Sequence, residues 1–149
     1  MEKLDPKMEA QIWQRVVGKP QPTNEQIRPL LLMAWESVGM YRHLMGQLTG
    51  KQRERMKQLY ERSARGVDCL LGIQAMSGIP AGKLRPQPVP KESARRMLEK
   101  SYHRSLRLMT EYAARVAMPE FGTVYQHLWD WEKETCAVLA ELIGGMEKQ

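Results

Sequence analysis

Residues 78–91 read GIPAGKLRPQPVPK, with four prolines and two glycines, and this stretch constrains the fold more than any other. Proline removes a backbone donor and clashes with a preceding helical turn, so no helix of useful length forms here. Two pairs of amphipathic runs flank it: Gln26–Leu48 and Lys51–Met76 before it, Ser93–Met118 and Phe121–Ile143 after it. About thirteen extended residues span roughly 43 Å, and a helix of about 26 residues is roughly 39 Å long. The linker is therefore long enough to cross the whole length of a bundle and start the third helix parallel to the second. Within each pair the connection is short (Thr49-Gly50, then Pro119 to Gly122), which makes the paired helices antiparallel neighbours.

The apolar spacing supports this reading. Leu31, Ala34, Val38, Tyr41, Met45 and Leu48 share a face of the first long run. Met56, Leu59, Tyr60, Ser63, Val67, Leu70, Leu71 and Ile73 share one on the second. Leu98, Ser101 or Tyr102, Ser105, Met109, Tyr112 and Val116 do so on the third, and Val124, Leu128, Trp131 or Glu132, Thr135, Leu139 and Leu142 on the fourth. Pro29 is expected in the first turn of a helix that begins near Arg28, where its missing N–H is tolerated. Lys7 to Val17 reads as a short additional helix, stopped by Gly18, Pro20 and Pro22. The expected fold is all-α. Residues 1–22 form an N-terminal helix and linker, and residues 23–149 a four-helix bundle of two hairpins joined by a long crossover, one domain in all.

Composition narrows the function classes. At 42% apolar and 27% charged, the chain is not of the disordered type. It has no apolar run of membrane length and no signal-peptide pattern, and its two cysteines lie far apart in helical runs. These features point to a reduced, cytoplasmic protein. Neither Cys69 nor Cys136 has an adjacent histidine or a Cys-x-x-Cys partner, so nucleophilic catalysis has no support. The net charge of +6 is compatible with an acidic partner. Arg96, Lys100, Arg104 and Arg107 form a basic stripe along the third helix. No aromatic interleaving or phosphate-cradling loop accompanies them, so a solvated face is expected and nucleic acid is not. His43, His103 and His127 are candidates for a different site with Glu99 or Asp130, but Glu99 and His103, four apart, turn away from the Leu98/Ser105/Tyr112 face and read as a surface pair.

The order hairpin, long crossover, hairpin, the pattern around Tyr41 (YRHLM) and Tyr112 (YAARVA), and the endings LLGIQAMSG and VLAELIGG resemble the small ferritin-like, rubrerythrin-like proteins of bacteria over roughly residues 24–145. One common offset also lays the second hairpin on the first, placing Cys69 on Cys136 and Gly78 on Gly145. The resemblance implies a bundle core that holds two metal ions, with one Glu from each of two helices and a Glu-x-x-His pair from each of the others. Those positions fall on Ala34, Ser105, the pair Arg65 and Asp68, and the pair Glu132 and Thr135. Only Glu132 keeps a ligand, and no Glu-x-x-His occurs in the chain. The di-iron chemistry is therefore not expected, and no catalytic residue or cofactor is assigned.

Arg65 is a candidate ion-pair partner for Glu132; the favoured reading is that one or both of them reach solvent. Ala34, Ser63, Ala64, Ser105 and Thr135 leave small side chains near the same level, with Trp131, Tyr41 and Tyr112 expected to fill the space. The expected function is that of a degenerate ferritin-like protein acting through self-assembly or protein contacts. The alternative is an iron- or other metal-binding oxidoreductase with an altered site around Glu132 and His127 or Asp68. A weaker alternative is nucleic-acid binding through the third helix.

Overall fold

The structure, a computed structural model, describes residues 26–80 and 84–147. They form four α-helices, and no strand occurs among them: α1 (Ile27–Gln47), α2 (Gly50–Met76), α3 (Ala94–Arg115) and α4 (Gly122–Glu147). The helix expected at residues 7–17 lies outside the described residues.

Each helix boundary has a local cause. Pro29 sits in the first turn of α1, where no intrahelical N–H bond is owed. Gly50 opens α2 with φ of +60°, a left-handed conformation that suits glycine in so tight a reversal. At the far end of α2, Gly78 takes φ of +69°. There the Gly78 N–H reaches the Ala75 carbonyl and the Ile79 N–H reaches Gln74, each at 3.2 Å, the paired bonds of a Schellman ending. Ser93 caps α3 by accepting the Arg96 N–H at 3.2 Å. Ser93→Ala is expected to cost about 1 kcal/mol, read as a lower urea midpoint with an unchanged slope.

α1 packs on α2 and α3, and α4 packs on α3 and α2, giving a square bundle. Two apolar clusters occupy its ends. One joins the start of α1 (Ile27, Leu30, Leu31) with the end of α2 (Leu70, Ile73), the end of α3 (Leu108, Tyr112) and the start of α4 (Phe121, Tyr125). The other joins the end of α1 (Met40, Leu44) with the start of α2 (Met56, Leu59), the start of α3 (Met97, Leu98) and the end of α4 (Leu139, Leu142). All four neighbouring pairs are therefore antiparallel, and α2 and α3 run parallel. Ile79 and Leu84 pack at the first end and Val89 at the second, where it lies against Gly39 of α1. The α2–α3 connection thus runs from one end of the bundle to the other.

The buried faces differ in detail from the expected ones. Ser37 and Leu44 occupy the centre of the α1 face, while Val38 and Met45 flank it half-buried. Leu108 and Tyr125 likewise take the central places expected for Met109 and Val124. Leu71 points outward, 37% exposed. One helical step is 100°, so adjacent residues compete for the same seam, and the packing partner decides between them. Surface ion pairs stitch the α2–α4 seam, Arg55 to Glu141 at 2.8 Å and Arg62 to Glu134 at 2.9 Å. Both are solvated and contribute little individually.

Candidate functional site: a polar belt across the bundle

Between the two apolar ends each helix contributes small or polar residues. Ser37 stands between the clusters on α1, Ser63 on α2, Ser101 and Ser105 on α3, and Glu132 and Thr135 on α4. At this level lies a cavity of about 20 Å³, bounded by Ala34 and Ser37, by Arg62, Ser63 and Gly66, by Leu108 and Tyr112, and by Leu128, Trp131, Glu132 and Thr135. Trp131 and Tyr112 line this cavity and Tyr41 does not, so the three aromatic residues expected to fill the level leave a small space.

Four of the six positions singled out above meet here. Ala34, Glu132 and Thr135 line the cavity, and the Ser105 hydroxyl donates to Glu132 Oε1 and lies 3.5 Å from the Glu132 carbonyl oxygen. Arg65 and Asp68 do not join them. Both are exposed, and the inward pair on α2 is Ser63 and Gly66, two residues earlier. The internal alignment is at fault, because its matched cysteines are not equivalent in space. Cys136 sits in the belt beside Ser105, whereas Cys69 packs against the first apolar cluster. The candidate Arg65–Glu132 ion pair is therefore absent, and Arg65 reaches solvent. The arginine beside the Glu132 carboxyl is Arg62, whose guanidinium is bonded to Glu134.

Glu132 is largely surrounded by protein but keeps some solvent contact, and burial raises its pKa to about 7. The Ser105 hydrogen bond and the Arg62 charge act the other way and limit the rise. Ser105 also accepts from the Cys136 thiol at 3.1 Å, so thiol, hydroxyl and carboxyl form one chain. Burial pushes the Tyr41 and Tyr112 phenols well above their ordinary value, with the nearby Glu132 charge the next cause. The Tyr41 and Ser101 hydroxyls, both buried, have no hydrogen-bond partner. Burial is also the main cause that raises both thiols, Cys69 and Cys136. Neither is a thiolate at neutral pH, so neither is poised as a nucleophile.

The other candidates stay apart. His43, His103 and His127 are exposed, as is Asp130. Glu99 bonds Arg95 at 3.2 Å instead of pairing with His103. No group of three His, Cys, Asp or Glu side chains suited to a metal ion forms among the described residues. His127 and Asp68 do not converge on Glu132. Along the basic stripe, Lys100 is held by Glu92 at 2.6 Å and Arg104 faces Glu36 at 3.8 Å, while Arg96 and Arg107 are exposed.

No family model, curated protein or solved structure matches this chain.

The belt's own chemistry is limited by its size. A cavity of about 20 Å³ takes one water-sized group, whereas pockets for small organic molecules run to about 300–1,000 Å³. Its resources are one carboxylic acid that titrates near neutrality and a ring of hydroxyls. Sequence reasoning missed Ser37 and Gly66 and left Ser101 open against Tyr102. The available signal was the recurrence of small residues three or four apart on every helix, midway between the apolar ends.

Proposed function

We propose that this chain is a ferritin-like bundle that has refilled its metal-binding level and that acts through protein contacts, self-association first, without catalysing a reaction. The observation that carries this reading is the inward set at mid-bundle. Ala34, Ser63, Gly66, Ser105, Glu132 and Thr135 offer one carboxylate and no imidazole where a paired metal centre needs several of each. The chain order, with α2 and α3 parallel and joined by an end-to-end connection, supports the same reading, as does a cavity too small for an organic substrate. Association is favoured by large apolar side chains facing outward. Trp35 is 40%, Leu71 37% and Met76 77% exposed, all on the half of the bundle built from the start of α1 and the end of α2. No helix among the described residues is long and apolar enough to cross a membrane.

Two measurements on full-length protein purified without chelator test the reading. Elemental analysis is expected to show no stoichiometric iron, manganese, copper or zinc, and light scattering a mass above that of one chain. One transition-metal ion per chain, lost on Glu132→Ala, would overturn the first part. A monomeric mass at high concentration would overturn the second.

A further inference from the structure

The outward side of α2 carries a charge order that is complementary to itself. Lys57, Glu61, Arg65 and Asp68 are all exposed. At 100° per residue they lie within about 80° of one another, opposite the buried stripe of Met56, Leu59 and Leu70. Their signs run plus, minus, plus, minus, and the order inverts about a point next to Ser63. Lys57 and Asp68 stand on either side of that point, and Glu61 and Arg65 do so nearer in. None of the four makes an ion pair with a described residue, whereas Arg55 and Arg62, on the α4 flank of the same helix, both do. The cavity fixes which part of α1 is level with this point, because Ala34 and Ser37 border it together with Ser63 and Gly66. Trp35, 40% exposed, therefore stands level with the centre of the charge order. Glu36 turns towards Arg104 on α3, and Trp35, one step back round the helix, turns to the α2 side.

We propose that α2 packs antiparallel on α2 of a second copy of this chain, about a two-fold axis level with Ser63, so that Lys57 of each copy meets Asp68 of the other and Glu61 meets Arg65. The inference rests on the self-association reading above and names its surface. In a two-fold contact each residue i that meets j is matched by j meeting i, so the surface must complement itself. Antiparallel packing satisfies this for all four charges, while parallel packing would set each charge on its own kind. Arg53 and Glu54 fall opposite Leu71 and Gly72, so no like charges meet along α2. Arg28 and Arg42 of α1 come opposite one another farther from the axis, where water screens them. Trp35 and Leu71 supply apolar surface that leaves water, and the charges set direction and register.

The test is sedimentation velocity of the full chain over a concentration series at low ionic strength, where exposed charges are least screened. Lys57→Glu and Asp68→Lys are each expected to weaken association at least about tenfold, because the two-fold axis repeats every change. Lys57→Glu also lowers the net charge of +6, which on general repulsion alone would tighten association instead. The two substitutions combined in one chain are expected to restore most of the lost affinity. Residues 57 and 68 lie about 16 Å apart along one helix, so the rescue cannot arise within a chain. Trp35→Ala is expected to weaken association, and Arg96→Glu, exposed on α3 outside the contact, to leave it no weaker. If the wild type associates and both single charge variants do so as tightly, or the combined variant is no better than either, this surface is overturned and self-association stands. A monomeric wild type would overturn both.

Discussion

Glu132→Gln is expected to unfold at a higher temperature than the wild type near pH 8 and at the same temperature near pH 4. Burial raises the Glu132 carboxyl from 4.5 to about 7 in the folded protein. Between those values the folded chain holds a proton that the unfolded chain has released, so stability falls as pH rises through the interval. The loss is absent below the unfolded value and complete above about 7. A rise of this size corresponds to roughly 3 kcal/mol, or roughly 6–12 °C in Tm for a chain of this length. Glutamine keeps an oxygen for the Ser105 hydroxyl and carries no charge, so it escapes the penalty. If both proteins show the same pH profile, the carboxyl is not surrounded by protein as described. If the wild type gains stability with rising pH relative to the variant, an unrecognised cationic partner holds the carboxylate.

Gly122→Ala is expected to cost about 3 kcal/mol, whereas Gly72→Ala is expected to add roughly 0.5–1 kcal/mol. Both residues are helical, so propensity alone favours alanine at each. The difference lies in what a methyl group would meet. At Gly72 it enters open space. At Gly122 it collides with the Val116 carbonyl oxygen, a backbone atom at the end of α3 that no side-chain rotation can move. The collision follows from the tightness of the turn, in which the Gly122 N–H bonds Met118 at 3.1 Å while Phe121 is buried in the first apolar cluster. Relieving it shifts the start of α4, and with it Tyr125 and Leu128. Urea unfolding of the two variants beside the wild type reads both effects. Equal midpoints for Gly122→Ala and the wild type would show that the turn opens at no cost.

The helices were legible in the sequence because their signals are redundant. A run such as Leu98, Ser105, Tyr112 keeps one face over two heptads, about four helical turns, and prolines or glycines mark nearly every boundary. The end-to-end connection was also legible, since its reach follows from residue count alone. Choosing between adjacent residues on a face was harder. Ser37 takes the centre from Val38 although valine is the more apolar, because serine fits beside Glu132's cavity and returns its proton to its own helix. The register of α2 was beyond single-sequence reasoning for a similar reason. Arg62 and Arg65 are chemically identical, and only the packed structure places one beside the carboxyl and the other in solvent. Gly122 read as a turn residue, but its requirement comes from an atom of the preceding helix, which no local pattern reveals.

Two oily halves separated by a hydrophilic waist also make the helices hard to slide. A slip of α4 by one turn, about 5.4 Å along its axis, would carry Glu132 out of reach of Ser105 and against leucines or aromatics at one end. A bundle with uniform leucine layers has no such ruler and accepts neighbouring alignments at similar energy. Here the acid whose burial weakens the fold above neutrality is also the notch that selects one axial alignment, so neutralising it should relax that selection while raising the melting point.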